Sequence, residues 1–489
     1  MSPSTSTSAS TSVPTYASIG VRPLINGRGT YTIISGSRVL PQVAEAMREA
    51  TNHYVQMEEL MERVGERLAQ VTGAPWGYVA SGCAAALTEI TAACIAGADP
   101  EKMARLPDTT GMRDEVVIQR AHRNSYDRAI LAAGARMIEV ETLADLRAAM
   151  GERTAMVAIT GDQAHLGRIT VQQTIDVARE RGVPSLVDAA AERPDVPNRY
   201  LTMGADAVAY SGGKCLRGPQ ASGLVLGRKD LLQAACLNSA PHHSLGRTMK
   251  AGKEEVMGLL AAVEAWVLGR DHAAEWRMWE GYLECIASAV RSLPSVATSI
   301  RQPGIANVTP NLVITWAPAT LECAPSQVHD ALWEGEPRIA VHLVAGGVLV
   351  NPYMLEAGDA EIIARRLAEL LGGRLGLPLQ RAPTEPCCDV SGEWELRTRY
   401  VSGESRHGLS LEQSGAALAG TCRSSFEGAP VTGSISGNDI EFRVNLGYQA
   451  IRTEYVFQGT VDEDTMRGMV TLGEYGRAEW SARRCAALA

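Results

Sequence analysis

No stretch of about eighteen or more apolar residues occurs in the chain, so no membrane-spanning helix is expected. Residues 1–15 are rich in Ser and Thr and have neither a basic start nor an apolar stretch. They do not read as a secretory leader; a disordered tail over 1–15 is expected. Among the ten cysteines there is no CxxC pair. Cys387 and Cys388 are adjacent, which is poor spacing for chelating one ion, so no metal site is expected. In a chain this long, scattered cysteines read as reduced thiols in a cytoplasmic protein. Positive charge is also scarce: 46 Lys and Arg stand against 55 Asp and Glu, a net charge of −9. That argues against a large electrostatic footprint for nucleic acid, though it says nothing about local patches.

What is present is ordinary globular composition, with 45% hydrophobic and 21% charged residues spread over 489 positions. That is too long for one core, so two to four domains are expected. An arm over Val21 to Pro41 carries the turn-forming stretches Asn26-Gly27-Arg28-Gly29-Thr30 and Ser35-Gly36-Ser37. Pro41 to Thr72 reads as one helix, bent if need be, with apolar positions at Val43, Met47, Val55, Leu60, Val64 and Leu68. From Trp76 to Gly227 short apolar runs alternate with helical stretches. The runs Trp76–Ala80, Glu115–Gln119, Ala155–Thr160, Ser185–Val187 and Ala207–Tyr210 read as buried parallel strands of a doubly wound α/β sheet. Lys253 to Leu293 reads as a long helical stretch, and Ala306 to Leu371 as mixed α+β ending in the amphipathic helix Asp359–Leu371.

Composition shifts near Gly372, and 372–388 is read as a Gly- and Pro-rich linker. From Asp389 onward, short alternating segments separated by Gly, Ser and Asn turns predict an antiparallel β-barrel or sandwich. Its aromatic residues, Trp394, Phe426, Phe442, Tyr448, Tyr455, Phe457, Tyr475 and Trp480, are expected mainly in its core. The expected domains are 16–75 (arm and helix), 76–255 (large domain), 256–371 (long helix and small α+β domain) and 389–489 (β-rich domain).

Three turns carry chemistry. Val183-Pro184-Ser185-Leu186-Val187-Asp188 is an apolar strand ending in an acid, which places Asp188 at the carboxyl edge of the sheet, where open α/β folds bind ligands. Asp188 reads equally as the N-cap of a helix over the alanines that follow. Ala207-Val208-Ala209-Tyr210 is followed by Ser211-Gly212-Gly213-Lys214, a lysine in a turn whose glycines permit close backbone approach. An exposed loop lysine is the plain alternative. Strand Trp76–Ala80 leads into Ser81-Gly82-Cys83 at the start of an alanine-rich helix, where backbone N–H groups and the helix dipole suit an anion. His122 follows strand Glu115–Gln119 at the same edge, either to stack on a ring or as a capping histidine.

A lysine for an imine, a carboxylate for a pyridine nitrogen and N–H groups for a phosphate are what pyridoxal 5'-phosphate (PLP) requires. At these residues the chain resembles the selenocysteine-synthase-like family of PLP enzymes, and more closely its D-glucosaminate-6-phosphate ammonia-lyase-like branch. The stretches that carry the resemblance are Asp188-Ala-Ala-Ala-Glu192, Gly204-Ala-Asp206 and Ser211-Gly-Gly-Lys214-Cys-Leu-Arg217-Gly-Pro-Gln220-Ala-Ser-Gly223, with Asn26-Gly27, Gly29-Thr30, Ser81-Gly82, Gln119 to Ser125, and Gly246 to Glu255. The resemblance implies fold type I (aspartate-aminotransferase-like), with Lys214 as the Schiff-base lysine and Asp188 as the pyridine-nitrogen partner. It also implies that Ser81, Gly82, Cys83 and Ser211 hold the phosphate, that His122 lies against the ring, and that the protein forms homodimers or larger rings. Cys215 departs from the smaller residue usual after the lysine, and the tail from Asp389 lies outside the family core.

The reaction expected is α,β-elimination of a polar or hydroxylated amino acid to a 2-keto acid and ammonia. Racemisation or epimerisation is the alternative. A tRNA-dependent selenium transferase is disfavoured by the acidic balance, and a non-catalytic PLP-binding scaffold by the Asp188/Lys214 pair. A cationic segment with His242, His243, Arg247, Lys250 and Lys253 suits an anionic substrate, with Arg247 and Arg338 as candidate anchors; a solvated, partly ion-paired surface is the plain reading of the same residues.

Overall fold

The computed structural model describes residues 13–306, 308–373 and 384–485. Most of the tail expected over 1–15, and the middle of the linker expected over 372–388, lie outside the described residues.

A seven-stranded sheet organises the first part of the chain. Its order is Trp76–Ala80, Gly223–Gly227, Ala207–Ser211, Ser185–Asp188, Thr154–Thr160, Glu115–Gln119, Arg136–Val140. The last five run parallel, as expected for four of them; Arg136–Val140 is a strand beyond those expected. Gly223–Gly227 runs antiparallel to both of its neighbours, Trp76–Ala80 and Ala207–Ser211. Trp76–Ala80, expected in a parallel pairing, therefore pairs only antiparallel while still pointing the same way as the five. Its C-terminal end meets theirs at one edge.

The strands read as continuous apolar runs because both faces are covered. On one face Val79, Val117, Val157, Val187, Val208 and Leu224 join one core. On the other, Tyr78, Val116, Met156, Leu186, Ala207 and Val225 join a second, together with the alanine-rich helix Cys83–Ala96.

Two expected helices are broken. Pro41–Thr72 is two helices, Pro41–Thr51 and Met57–Thr72, because the Gln56 side chain accepts from the Glu59 N–H and starts a new helix after Asn52. Lys253–Leu293 divides into Lys253–Glu264, a π turn over Ala265–Gly269 and a second helix His272–Arg291, which Asp271 caps through the N–H groups of Ala273 and Ala274.

A four-stranded antiparallel sheet, in the order His342–Val344, Gly347–Val350, Asn311–Trp316, Val296–Arg301, packs with helices His272–Arg291, Pro325–Glu334 and Asp359–Leu371 around Leu283, Ile314, Val348, Ile363 and Leu367. The arm adds Leu24–Asn26 in parallel to Arg338–Ala340.

From Gly392 to Arg484, eight antiparallel strands close into an up-and-down barrel in which each strand pairs with the next and Gly392–Arg399 pairs with Arg477–Arg484. It is a barrel, not a sandwich. The period-2 alternation turns Trp394, Leu409, Val431, Phe442, Phe457, Val470 and Trp480 into one core. Phe442 and Phe457 stack at 4.6 Å, and Trp480 meets both edge-on. Phe426, Tyr448 and Tyr475, expected with the core aromatics, are exposed at 78%, 52% and 64% because they sit on connecting loops or strand ends. The barrel, grouped with Arg123–Arg128, and the remainder of the chain are separate compact units.

Candidate active site

Strand ends build the site. Ala80, Gln119, Thr160, Asp188 and Ser211 all finish at the same edge of the large sheet.

Helix Cys83–Ala96 begins there without a side-chain cap. Its first backbone N–H groups are thus left for an anion. Gly82, the residue before it, adopts φ +154° with open space where a Cβ would be. Gly223 packs so closely that an added Cβ would lie 2.5 Å from the Gly82 carbonyl carbon. This uncapped, glycine-built helix start offers backbone N–H groups and the positive end of the helix dipole to an anion. Ser81 stands half-buried beside it, as does Ser211 at the end of the neighbouring strand.

Asp188 Oδ1 accepts the Ala190 N–H at 3.0 Å and the Cys83 thiol at 3.5 Å. Both donors fall on one oxygen, so Oδ2 is left for a ring N–H. Burial pushes the Asp188 carboxyl up, against the Ala190 N–H, the Lys214 cation and the Cys83 thiol, which pull it down. Cys83 is itself pushed far up by burial and by the neighbouring Asp188, so it is a neutral S–H donor. The helix-capping reading of Asp188 does not hold, since no helix starts after it before Arg199.

Lys214 is half-buried in a turn closed by Arg217 N–H to Lys214 O at 2.9 Å and Gly218 N–H to Gly212 O at 2.8 Å. The turn is braced from behind. The Cys215 carbonyl accepts from Arg270 at 2.7 Å and from the Tyr353 hydroxyl, while Arg270 is held bidentately by Glu275. Cys215 is 4% exposed, donates to Glu192 O at 3.0 Å, and is raised to about 12 by burial. Its thiol therefore packs and positions the turn.

His122 is 1% exposed, and burial lowers its pKa to about 4, so its imidazole is neutral. Thr160 Oγ1 donates to the His122 carbonyl at 2.9 Å, which fixes the turn after strand Glu115–Gln119.

Sequence reasoning missed the network behind Asp188. Glu192 is fully buried, accepts from Arg199 and from the Tyr200 hydroxyl at 2.9 Å, and is raised to about 7 by burial against those two partners. Asn198 donates to Tyr210 at 2.6 Å and Trp266 to Pro194 O at 3.0 Å, so the loop after Asp188 is tied down. The signal was available in Glu192, which closes the quoted motif.

Of the predicted residues, the structure joins Cys83, Asp188 and Lys214 through contact or electrostatic interaction and sets Ser81, Gly82, His122 and Ser211 at the same sheet edge. It commits Arg338 elsewhere: Nε donates to Trp333 O at 3.0 Å and the guanidinium lies over the Trp333 ring. Arg247 is exposed, His242 pairs with Glu58, and Lys253 donates to Ala50 O. The plain reading of that segment as partly ion-paired surface fits these partners.

A sheet of this order with a lysine and a carboxylate on adjacent strand ends is a fold-type-I PLP enzyme, and PLP is its cofactor. The aminotransferase class-V family model matches residues 42–256. A 5'-C-glycyluridine monooxygenase-decarboxylase of Streptomyces sp is 31% identical over 74% of this chain and 93% of its own. A D-glucosaminate-6-phosphate ammonia lyase of Salmonella typhimurium is 30% identical over 73% of this chain and 97% of its own. A solved structure of D-glucosaminate-6-phosphate ammonia-lyase superposes with a TM-score of 0.65 at 29% identity, covering 74% of this chain and 99% of that one. The chain belongs to the selenocysteine-synthase-like family of PLP enzymes, which takes in the L-seryl-tRNA(Sec) selenium transferases and these ammonia-lyases. No described helix is long and apolar enough to cross a membrane.

Proposed function

We propose that the protein is a PLP-dependent lyase that eliminates across the α and β carbons of a polar or hydroxylated amino acid. The observation that carries the reading is the Lys214–Asp188–Cys83 constellation on a chain 30% identical to an ammonia lyase over 97% of that enzyme. The cofactor, when bound, supplies the electron sink for the α-carbanion.

The chain's own residues do the rest. The first turn of helix Cys83–Ala96, with Ser81, Gly82 and Ser211, holds the phosphate. Asp188 Oδ2 keeps the ring nitrogen protonated, oriented by the two donors on Oδ1. His122, neutral because it is buried, would pack beside the ring without adding charge. The Lys214 amine would hold the cofactor and would remove the α-proton of the bound substrate. The bond from Cβ to its hydroxyl then breaks, the oxygen leaving with a proton as water. Water adds back at Cα as ammonia departs, so the net products are a 2-keto acid and ammonia. A homodimer or larger assembly belongs to the same reading.

Incubation of holoenzyme with D- and L-serine, threonine, D-glucosaminate and its 6-phosphate in D2O, followed by NMR, tests this. Keto acid formed by wild type but not by Lys214→Ala is the expected result. Deuterium at Cα without keto acid refutes elimination and favours racemisation or epimerisation.

The comparable identity to a monooxygenase-decarboxylase supports a second reading, in which the amino acid and dioxygen give the one-carbon-shorter amide, CO2 and water, one oxygen atom entering the amide and the other leaving as water. Oxygen uptake by the same mixtures, read on an electrode, separates it from elimination, which consumes none.

A further inference from the structure

The arm expected to be a run of turns is held rigidly at the Lys214 turn. Asn26 Oδ1 accepts the N–H groups of Arg28 and Gly29 at 3.0 and 2.9 Å, and its amide donates to Gly29 O at 2.9 Å. Gly29 sits at φ +105°, a conformation that other residues rarely adopt. The Asn351 N–H donates to Gly27 O at 2.8 Å, and two residues on Tyr353 bonds the carbonyl of Cys215, next to Lys214. From the other side, Gln220 donates to Thr32 at 3.3 Å and lies against both Gly36 of the arm and Gly213, the residue before Lys214. The arm on either side of Arg28 is therefore tied from two directions to segments around the turn that presents the lysine.

The state of Arg28 is unusual. Its guanidinium lies 5.1 Å from the centre of the Tyr31 ring, its Nε is buried without a hydrogen-bond partner, and no carboxylate among the described residues pairs with it. A half-buried cation backed by an aromatic face and lacking a counter-ion is a seat for an anion. The neighbouring His342 fits the same purpose. Its Nε2–H donates to the Arg28 carbonyl at 2.8 Å, its ring packs edge-on to Tyr31 at 5.2 Å, and burial lowers its pKa. Tyr31 is 42% exposed, which leaves the seat open to solvent on one side.

We propose that Arg28, with Tyr31 behind it and His342 beside it, binds an anionic group of the amino-acid substrate, a carboxylate or a phosphate. This rests on the PLP reading above and adds a substrate anchor to the candidates Arg247 and Arg338.

The test uses holoenzyme of wild type, Arg28→Ala and Arg28→Lys. Calorimetric titration with inorganic phosphate, at saturating PLP so that the cofactor's own phosphate site is filled, reads the seat directly. Wild type binds, Arg28→Ala binds weaker by on the order of tenfold or more, and Arg28→Lys falls between. KM rises by a similar factor in Arg28→Ala, while kcat falls much less and the visible spectrum of the bound cofactor is unchanged. A rise for every amino acid, serine included, places the α-carboxylate on Arg28; a rise confined to phosphorylated substrates places the distal phosphate there. Equal phosphate affinity and equal KM in wild type and Arg28→Ala, with cofactor bound, overturn the proposal. If Arg28→Ala loses the cofactor, Arg28→Lys decides it, since a purely structural arginine gives a lysine variant with no selective KM change. If no amino acid is consumed even by wild type, the elimination reading fails, and the phosphate titration still decides Arg28.

Discussion

Replacing Glu89 by Gln removes one source of pH dependence from the stability of the part that carries the large sheet. Glu89 lies fully buried inside helix Cys83–Ala96, accepting from Ser239 Oγ at 2.6 Å and from the Tyr78 hydroxyl at 2.8 Å. Burial raises its carboxyl from 4.5 to about 8, against the two hydroxyls that lower it. The folded state therefore binds this proton more tightly than the unfolded state does. Its contribution is full below pH ~4.5, falls as pH rises through the window up to ~8, and is flat beyond. A shift of about three and a half units, at ~1.4 kcal/mol per unit, amounts to ~5 kcal/mol across that window, an order-of-magnitude upper figure. Gln keeps the shape and one donor–acceptor pair with each hydroxyl and never ionises. Glu89→Gln should thus be level with wild type, or ~1 kcal/mol weaker, near pH 5 and several kcal/mol more stable at pH 8.5. Urea unfolding of both proteins at half-unit steps from pH 5 to 8.5 reads the difference, in which all other titrations cancel. Parallel curves would refute the reasoning and show that Glu89 is ionised throughout.

Three further outcomes follow from the same geometry. Lys214→Ala removes the covalent link, so the visible band of lysine-bound cofactor vanishes on spectrophotometry and no keto acid forms. Asp188→Asn keeps the shape of the ring-nitrogen partner but not its charge; it should retain cofactor by absorbance while turnover falls on the order of a hundredfold or more. Trp394→Ala empties the barrel core where the indole is 1% exposed and donates to Val390 O at 2.9 Å, at a cost of about 3–5 kcal/mol. Calorimetry of the full chain should show the barrel's transition moving down by that amount, and an unmoved transition would contradict the packing described.

The parts legible in the sequence were those in which one physical signal dominates. Doubly buried strands such as Ala207–Ser211 announce themselves as apolar runs, and the barrel's alternation, as in Ile440–Val444, marks its inward face. Gly223–Gly227 is just as apolar, but strand direction leaves no trace in a run buried on both faces, so its reversal was invisible. The helix break at Asn52–Gln56 depends on Gln56 acting as a cap, which competes evenly with continued helix until tertiary packing decides. The placement of Asp188 at a strand end and of Lys214 in the turn after a strand was legible, because each follows an apolar run that marks a buried strand. Arg28 was in plain view inside a quoted motif, yet its lack of a carboxylate partner among the described residues is a property of three-dimensional neighbours. Arg338 shows the converse: a bidentate candidate by type, it is occupied by Trp333.

The ring closure of the barrel has a topological consequence. Because Gly392–Arg399 is hydrogen-bonded to Arg477–Arg484 as well as to Glu404–Ser414, the module's chain enters and leaves on adjacent staves. No strand is first or last in space, and no unpaired edge is offered to another chain for strand exchange. A module of this kind can be spliced onto a host at a single seam, or circularly permuted by moving the seam from one hairpin to the next, with its pairing unchanged.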